Sequence, residues 1–349
     1  SRVGKDPKGT DRLMRIACYN VEWFDRLFDD DGTLQRDQRW SGRRDVRREE
    51  QAAALARVFK KIDADAIMVI EAPDDHQHRS GTKALENFAK AYGLRTNKAL
   101  IGFTNTTQQE IALLYDPTKL TARHDPIGAL GDAVPPFNDT YKIDLDIDNR
   151  ADSVTFSKPP LELAIETASG AKLRMIGAHL KSKAPHGAHN AAEVMRFSIA
   201  NRRKQLAQAV WLRGRIESHL NAGEDLIVLG DLNDGPGLDE YEHLFGRSSV
   251  EIILGETGCP CLFDPHAARA LARKIGGAPT TARFFLKQEN RYLQALLDYI
   301  MVSEKLRSKA KAWRIWHPFD DPECWRDETL RNALLTASDH FPVTLDIDF

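Results

Sequence analysis

Short apolar runs alternate along the chain with stretches of helical periodicity. Arg15–Trp23 reads as a strand, and Val46–Ile62 as a helix with Leu55, Val58, Phe59 and Ile62 on one face. Ala66–Ile70 is a short buried strand, after which Leu85, Phe88, Ala89 and Tyr92 repeat at helical spacing. Further strands are predicted at Ile111–Tyr115, Ile143–Ile147, Leu161–Glu166 and Leu173–Leu180. A long helix covers about Ala191–Leu220, with Met195, Ile199, Leu206, Val210 and Leu220 in phase. Leu226–Leu229 and Leu296–Val302 are strongly apolar, and Phe341–Ile347 alternates apolar with polar.

Several of these strands follow one another without a helix between them. That disfavours a parallel doubly wound sheet and favours mixed or antiparallel sheets packed together, with helices outside. No repeat and no low-complexity linker divides the chain. Residues 1–12 read as a flexible tail and 13–349 as one domain. Asp29–Arg44, Pro185–Asn190 and Pro318–Ala337 are expected to be loops, and loops that long usually serve a function.

Composition adds constraints. Of 349 residues, 42% are hydrophobic and 29% charged, an ordinary globular balance. The formal net charge is −2, so no global positive field draws in an anionic partner, and a negatively charged substrate depends on local charge or a bound metal. The four cysteines, Cys18, Cys259, Cys261 and Cys324, show no C-x-x-C spacing and are too sparse for a disulfide-stapled fold. Cys18 reads as a core residue; for Cys259 and Cys261, which flank Pro260, a zinc or redox role is the minor reading. No stretch approaches the roughly 18 apolar residues of a spanning helix, so no membrane span is expected. The compartment is left open: cytoplasm, or a secreted or periplasmic location had a leader been removed.

The candidate chemistry sits at one recurring place, the end of an apolar strand. Asn20 and Glu22 follow the first strand, Glu71 ends the second, and His179 closes Met175–Leu180. Asp231 and Asn233 follow Leu226–Leu229 through Gly230. Asp298 opens Tyr299–Val302, and Ser338, Asp339 and His340 precede the last strand. Taken singly, each has a bland explanation: a cap or turn for Asp231 and Asn233, a hydrogen-bonded core histidine for His179, a capped loop for Ser338-Asp339-His340. Strand ends that converge in a cleft would hold all of them rigidly.

The ordered set Tyr19-Asn20-Val21-Glu22, Val69-Ile70-Glu71, Ala178-His179-Leu180-Lys181-Ser182, Gly230-Asp231-Leu232-Asn233, Leu297-Asp298-Tyr299-Ile300 and Ser338-Asp339-His340-Phe341-Pro342 resembles the endonuclease/exonuclease/phosphatase superfamily from about Arg15 to the C-terminus. The resemblance implies a four-layer α/β sandwich, two mixed β-sheets face to face with helices outside. It implies a phosphoesterase that attacks with activated water. On it, Glu71 is the principal Mg²⁺ (or Mn²⁺) carboxylate, with Asn20 and Asp339 close to the metal, and Ca²⁺ is an additional candidate ion. Asp231 orients or deprotonates the water, and Asn233 helps hold phosphate and nucleophile. His340, oriented by Asp298, faces the scissile phosphate, and His179 is the second histidine. No Ser, Cys or Thr lies in a recognisable nucleophile setting, and the G-x-S-x-G, P-loop and H-E-x-x-H patterns are absent.

Ile70 stands where many members carry Gln, and Glu22 reads equally as a carboxylate outside the metal or a surface one. The substrate is less legible. Arg36, Arg39, Arg43, Arg44, Arg47 and Arg48, with Trp40 among them, can grip a nucleic-acid backbone; pairing with Asp37, Asp45, Glu49 and Glu50 is the slightly favoured alternative. His76, His78, His186 and His189 are weak candidates for an extra metal site. No apolar hairpin of the kind lipid-cleaving relatives use is evident. A nuclease acting on DNA or RNA as a monomer is therefore the first reading, ahead of a phosphomonoesterase or lipid phosphodiesterase on the same scaffold. A non-catalytic binding module comes last, since every core residue is present.

Overall fold

Apolar residues on both faces of a strand demand cover on both sides, and the central strands here receive it. The structure, a computed structural model, describes residues 13–105, 107–145, 151–236, 242–272, 277–287 and 289–349; the tail expected over 1–12 lies outside them. The first half of the chain runs β1 (Met14–Asn20), α1 (Arg48–Ile62), β2 (Ala66–Pro73), α2 (Gly81–Tyr92), β3 (Lys98–Ile101), β4 (Gln109–Tyr115), β5 (Leu120–His124), β6 (Tyr141–Ile143), β7 (Asp152–Val154), β8 (Leu161–Thr167) and β9 (Lys172–His179). There follow α3 (Ala191–Asn221), β10 (Leu226–Asp231), α4 (Glu242–Phe245), α5 (Ser249–Leu254), β11 (Leu262–Phe263), α6 (Pro265–Leu271), β12 (Ala282–Leu286), β13 (Arg291–Ala295) and β14 (Asp298–Ser303). The chain then closes with α7 (Glu304–Arg307), β15 (Ala310–Ile315), α8 (Pro322–Arg326), α9 (Glu328–Ala337) and β16 (Val343–Ile347).

Two six-stranded sheets form, in the orders β15-β16-β1-β2-β4-β3 and β11-β14-β10-β9-β8-β5. Each contains one parallel pair, β1 with β2 across α1 and β9 with β10 across α3; the other neighbours are antiparallel. Read from opposite edges, the two sheets share one plan, in which β1 corresponds to β9 and β2 to β10. The sheets meet through Ile16, Cys18, Met68 and Ile70 on one side and Met175, Ile227, Leu229 and Ile300 on the other. Outside the first sheet, α1, α2 and α9 cover Tyr19, Val69 and Leu114; outside the second, α3 and α5 cover Ile176, Val228 and Met301. This is the four-layer sandwich that the resemblance implies.

Three sequence expectations change. Pro318–Ala337 is not a loop: Asp321 and Asp327 cap α8 and α9, accepting from the first-turn amides of Glu323, Cys324 and Leu330. Of Ile143–Ile147, only Ile143 belongs to a strand, pairing in the small β6–β7 ribbon, and residues 146–150 lie outside the described set. In α3, Met195 is 53% exposed, while Ser198, Arg202, Gln205 and Gln208 are buried. That helix backs the loops leaving β9 and β10, whose carbonyls and Asp234 need polar partners: Gln205 Nε2 donates to Lys181 O and Asn233 O, and Arg202 pairs with Asp234 at 2.8 Å.

Candidate active site

The parallel pairs deliver their C-terminal ends to one place. Asn20 and His179 occupy equivalent ends of β1 and β9; Glu71 lies near the end of β2, and Asp231 ends β10. Gly230 makes the last approach achievable: with φ at +149°, a Cβ there would lie 1.9 Å from Ala178 O on the neighbouring strand. Glu71 and Asn233 both adopt left-handed backbone, φ 60° and 50°. At Glu71 this coincides with a bulge in the β2–β4 pairing between Ile70 and Ala72, which turns its carboxylate out of the ladder. Such strain is concentrated where a fold must aim a side chain.

All eight residues expected at the site are gathered here. Asn20 Nδ2 donates to Asp231 Oδ2 at 2.9 Å and lies 3.5 Å from Glu71 Oε1. Asp231 Oδ2 is 3.7 Å from His179 Nε2 and 3.8 Å from His340 Nε2, while its Oδ1 accepts from Asn233 N at 2.8 Å. His340 Nδ1 and Asp298 Oδ2 are 2.7 Å apart, and Thr281 Oγ1 donates to the same oxygen at 2.7 Å. Asp339 Oδ1 is 4.0 Å from His340 Nε2. Asn233 Nδ2 donates to Leu180 O, leaving one of its N–H groups uncommitted by that bond. Ser338 knits the first and last motifs: its hydroxyl donates to Asn20 O and accepts from Glu22 N and His340 N.

Burial and crowding of like charge set the electrostatics. Burial raises the Asp231 carboxyl to about 7 against the pull of His340, with Asp298 adding to the rise. Glu22 rises to about 7 through burial and then Asp339; burial raises Glu71 too, and Asp339 contributes. Burial opposes protonation of His340, yet Asp298, Asp231 and Asp339 outweigh it and hold the imidazole well above its ordinary value. His179 goes the other way, driven well down by burial and then by the positive charge of Lys158.

Lys158 is a residue the sequence reading missed. Its Nζ donates to Gln109 Oε1 at 2.6 Å and lies 3.3 Å from His179 Nδ1; Gln109 Nε2 in turn donates to Glu71 Oε2 at 2.7 Å. A lysine can only donate, so it fixes His179 as the tautomer with its proton on Nε2, facing Asp231. Nothing in Ser157-Lys158-Pro159-Pro160 signals this role; only the tertiary fold brings it to the site. Thr281 was missed for the same reason.

Other expectations do not assemble. The arginine stretch is largely self-paired: Arg48 with Asp37 at 3.3 Å, Arg44 with Asp45 at 3.2 Å, Arg47 over the Trp40 ring. Arg43 instead pairs with Glu22, which therefore lies beside the site rather than on the open surface. Among the described residues, the group of three metal-competent donors is Asp231, Asp298 and His340, within 4.8 Å of one another; His76, His78, His186 and His189 form no such group, nor do Cys259 and Cys261. An apolar hairpin does exist. β12 and β13 pair antiparallel, and Phe284, Leu286, Leu293 and Ala295 line one wall of the cleft. That cleft, about 750 Å³, also contains Glu22, Glu71, Lys158, His179, Asp231 and His340.

Facing six-stranded mixed sheets with polar groups gathered at the ends of their parallel strands define the DNase I-like class of α/β sandwich. Truncated TDP2 of Caenorhabditis elegans shares the fold, with 14% identity and a TM-score of 0.51 over 96% of this chain and 98% of that one. So does an AP endonuclease from Archaeoglobus fulgidus, with 11% identity and a TM-score of 0.53 over 97% and 100%. No curated protein sequence matches the chain. Residues 17–340 match the Endonuclease/Exonuclease/phosphatase family, and the chain belongs to it. Hydrolysis of phosphate esters is the reaction that family defines. Among the described residues, no helix is long and apolar enough to cross a membrane.

Proposed function

We propose that the chain is a divalent-metal-dependent phosphodiesterase that cleaves by direct attack of water, with nucleic acid as its substrate class. The observation that carries this reading is the environment of Asp231: a buried carboxyl raised to about 7, with Asn20, His179 and His340 nitrogens within 3.8 Å of one oxygen. A carboxyl tuned toward neutrality is suited to take a proton from water.

Glu71, Asp339 and the side-chain oxygen of Asn20 would hold Mg²⁺ or Mn²⁺. Asn20 Oδ1 is buried without a hydrogen-bond partner, and two of the neighbouring carboxyls, Glu22 and Glu71, are raised by burial and by Asp339, so an ion with hard oxygen preference fits. Bound there, the ion supplies charge neutralisation to the phosphate. The tighter cluster of Asp231, Asp298 and His340 suits proton handling better, because His340 and Asp298 are committed to each other at 2.7 Å. Water oxygen bonds to phosphorus as the ester P–O bond breaks, the water proton passes to Asp231, and the leaving oxygen departs as an alkoxide that takes its proton from solvent. His340, held cationic by Asp298, donates to the phosphate. The Nε2–H of His179, set by Lys158, faces the same space, and Asn233 supports the nucleophile.

Asp231→Asn and His340→Ala are each expected to lower metal-stimulated hydrolysis by about a hundredfold or more while circular dichroism stays unchanged. Wild-type turnover in either folded variant would overturn the assigned roles. A panel of nicked plasmid, bis-p-nitrophenyl phosphate, p-nitrophenyl phosphate and sphingomyelin separates substrate classes. Preference for either of the last two would reassign the chain to a phosphomonoesterase or a lipid phosphodiesterase.

A further inference from the structure

The β12–β13 hairpin has two faces, and only one belongs to the cleft. Strand alternation puts Phe284 and Leu293, a cross-strand pair, on the cleft side, and the next pair, Phe285 and Tyr292, on the other. On that outer face, the Arg283 guanidinium lies 3.4 Å from the Tyr292 ring centroid and 5.3 Å from that of Phe319. Phe319 packs against Trp325 at 6.2 Å, and Arg331 covers Trp325 at 4.7 Å. The result is a continuous ladder in which guanidinium groups separate pairs of aromatic rings. It extends at its other end through Phe285, 5.1 Å from Tyr292, to Arg44.

These rings stand in solvent: Tyr292 is 49% exposed, Phe319 38% and Trp325 52%. Arg283 has no carboxylate partner among the described residues. Of the carboxylates near Trp325, Asp321 and Glu323 are paired with Arg314 and Asp327 with Lys61, while Asp320 lies 3.5 Å from His317 and Glu328 is exposed. The ladder is also tied to the site by backbone, since Arg283 N donates to Asp339 O at 2.8 Å and Ala282 bridges His340.

We infer that this ladder is a docking surface for single-stranded nucleic acid entering the cleft, an inference that rests on the phosphodiesterase reading above. Every base offers a π-face to an aromatic ring, and the interleaved guanidinium groups match the backbone phosphates. A duplex would hide those faces. A membrane is the poorer occupant, because the hairpin tip is charged, with Lys287 followed by the Glu289–Arg291 ion pair, and cannot enter hydrocarbon.

The test measures binding and chemistry separately. Fluorescein-labelled oligo-dT is titrated into metal-free Asp231→Asn protein, followed by anisotropy, with and without the added pair Tyr292→Ala and Trp325→Ala. Both positions are surface-exposed, so the variants should fold, and circular dichroism checks it. The pair is expected to weaken strand binding about tenfold or more. In the Asp231-containing background it should leave turnover of bis-p-nitrophenyl phosphate, too small to reach the ladder, within about twofold. Strand affinity unchanged by the pair would overturn the inference, as would no strand binding by the parent. So would a pair-dependent loss of binding to phosphatidylserine vesicles or of self-association in sedimentation, in place of strand binding. Failure of the function reading shows differently: no form hydrolyses the chromogenic diester, whatever the strand affinities.

Discussion

At the scale of single residues, the two cleft histidines are driven in opposite directions. His340 sits among Asp298, Asp231 and Asp339, and His179 beside Lys158. In ¹⁵N spectra of metal-free protein, His340 should carry protons on both ring nitrogens at about pH 7.5, a unit above the ordinary histidine value of about 6.5, while His179 stays neutral. The sign follows from the neighbours: anions favour the imidazolium and raise its pKa, whereas burial and a cation lower it. A neutral His340 at that pH would remove the phosphate donor from the mechanism. The eight acids, amides and imidazoles expected at the site were legible in the sequence because each stands at an end of an apolar run. Lys158, Gln109 and Thr281 were not, because their roles exist only as contacts between segments far apart in the chain.

At the scale of elements, the joins between helices and strands are clamped by arginine. Arg95, which follows α2, contacts Asp63 at the end of α1 at 2.7 Å, Asp65 before β2 at 2.6 Å and Asp116 after β4 at 3.0 Å. Burial pushes the Asp116 carboxyl up, but hydrogen bonds from Thr118 and Arg95 outweigh it, so its folded pKa lies below the ordinary value. A depressed folded pKa contributes stability that is present above the unfolded value of about 3.9 and is lost as pH falls through the folded one. Arg95→Met should therefore cost about 1–3 kcal/mol near neutrality, with the gap from wild type closing in acid. Thermal melts at several pH values check this; a gap that persists undiminished below the carboxylate range would show that lost packing, rather than charge, explains the effect. The four inner strands of each sheet were readable as apolar runs, whereas the edge strands β3, β5, β11 and β15 were not, because they are short or half-exposed and carry no long apolar run. α8 and α9 escaped because each is short and starts among acidic residues, although Asp321-Pro322 is a sound start signal: an aspartate cap followed by proline in the first turn.

At the scale of the molecule, carboxylates from both sheets, Glu71 on one and Asp231 on the other, converge on one cleft. An ion bound to the folded state alone adds stability by mass action, about 2.7 kcal/mol at a hundredfold excess over Kd. Mn²⁺ added to chelator-treated protein should raise Tm, and Glu71→Gln should abolish most of the rise. An equal rise in that variant would locate the ion elsewhere.

The shared plan of the two sheets has a mechanical consequence. Asn20 and Glu71 ride on one sheet and His179 and Asp231 on the other, so neither half owns a reaction centre. Side chains such as Met68 and Ile227 fill the space between the halves, and backbone hydrogen bonds join them where Thr281–Arg283 meets Asp339–Phe341. A slip of one layer across the other separates Asn20 from Asp231 while leaving every strand intact. Activity in such a sandwich is therefore a gauge of interlayer alignment, sensitive to displacements far too small to register as loss of secondary structure.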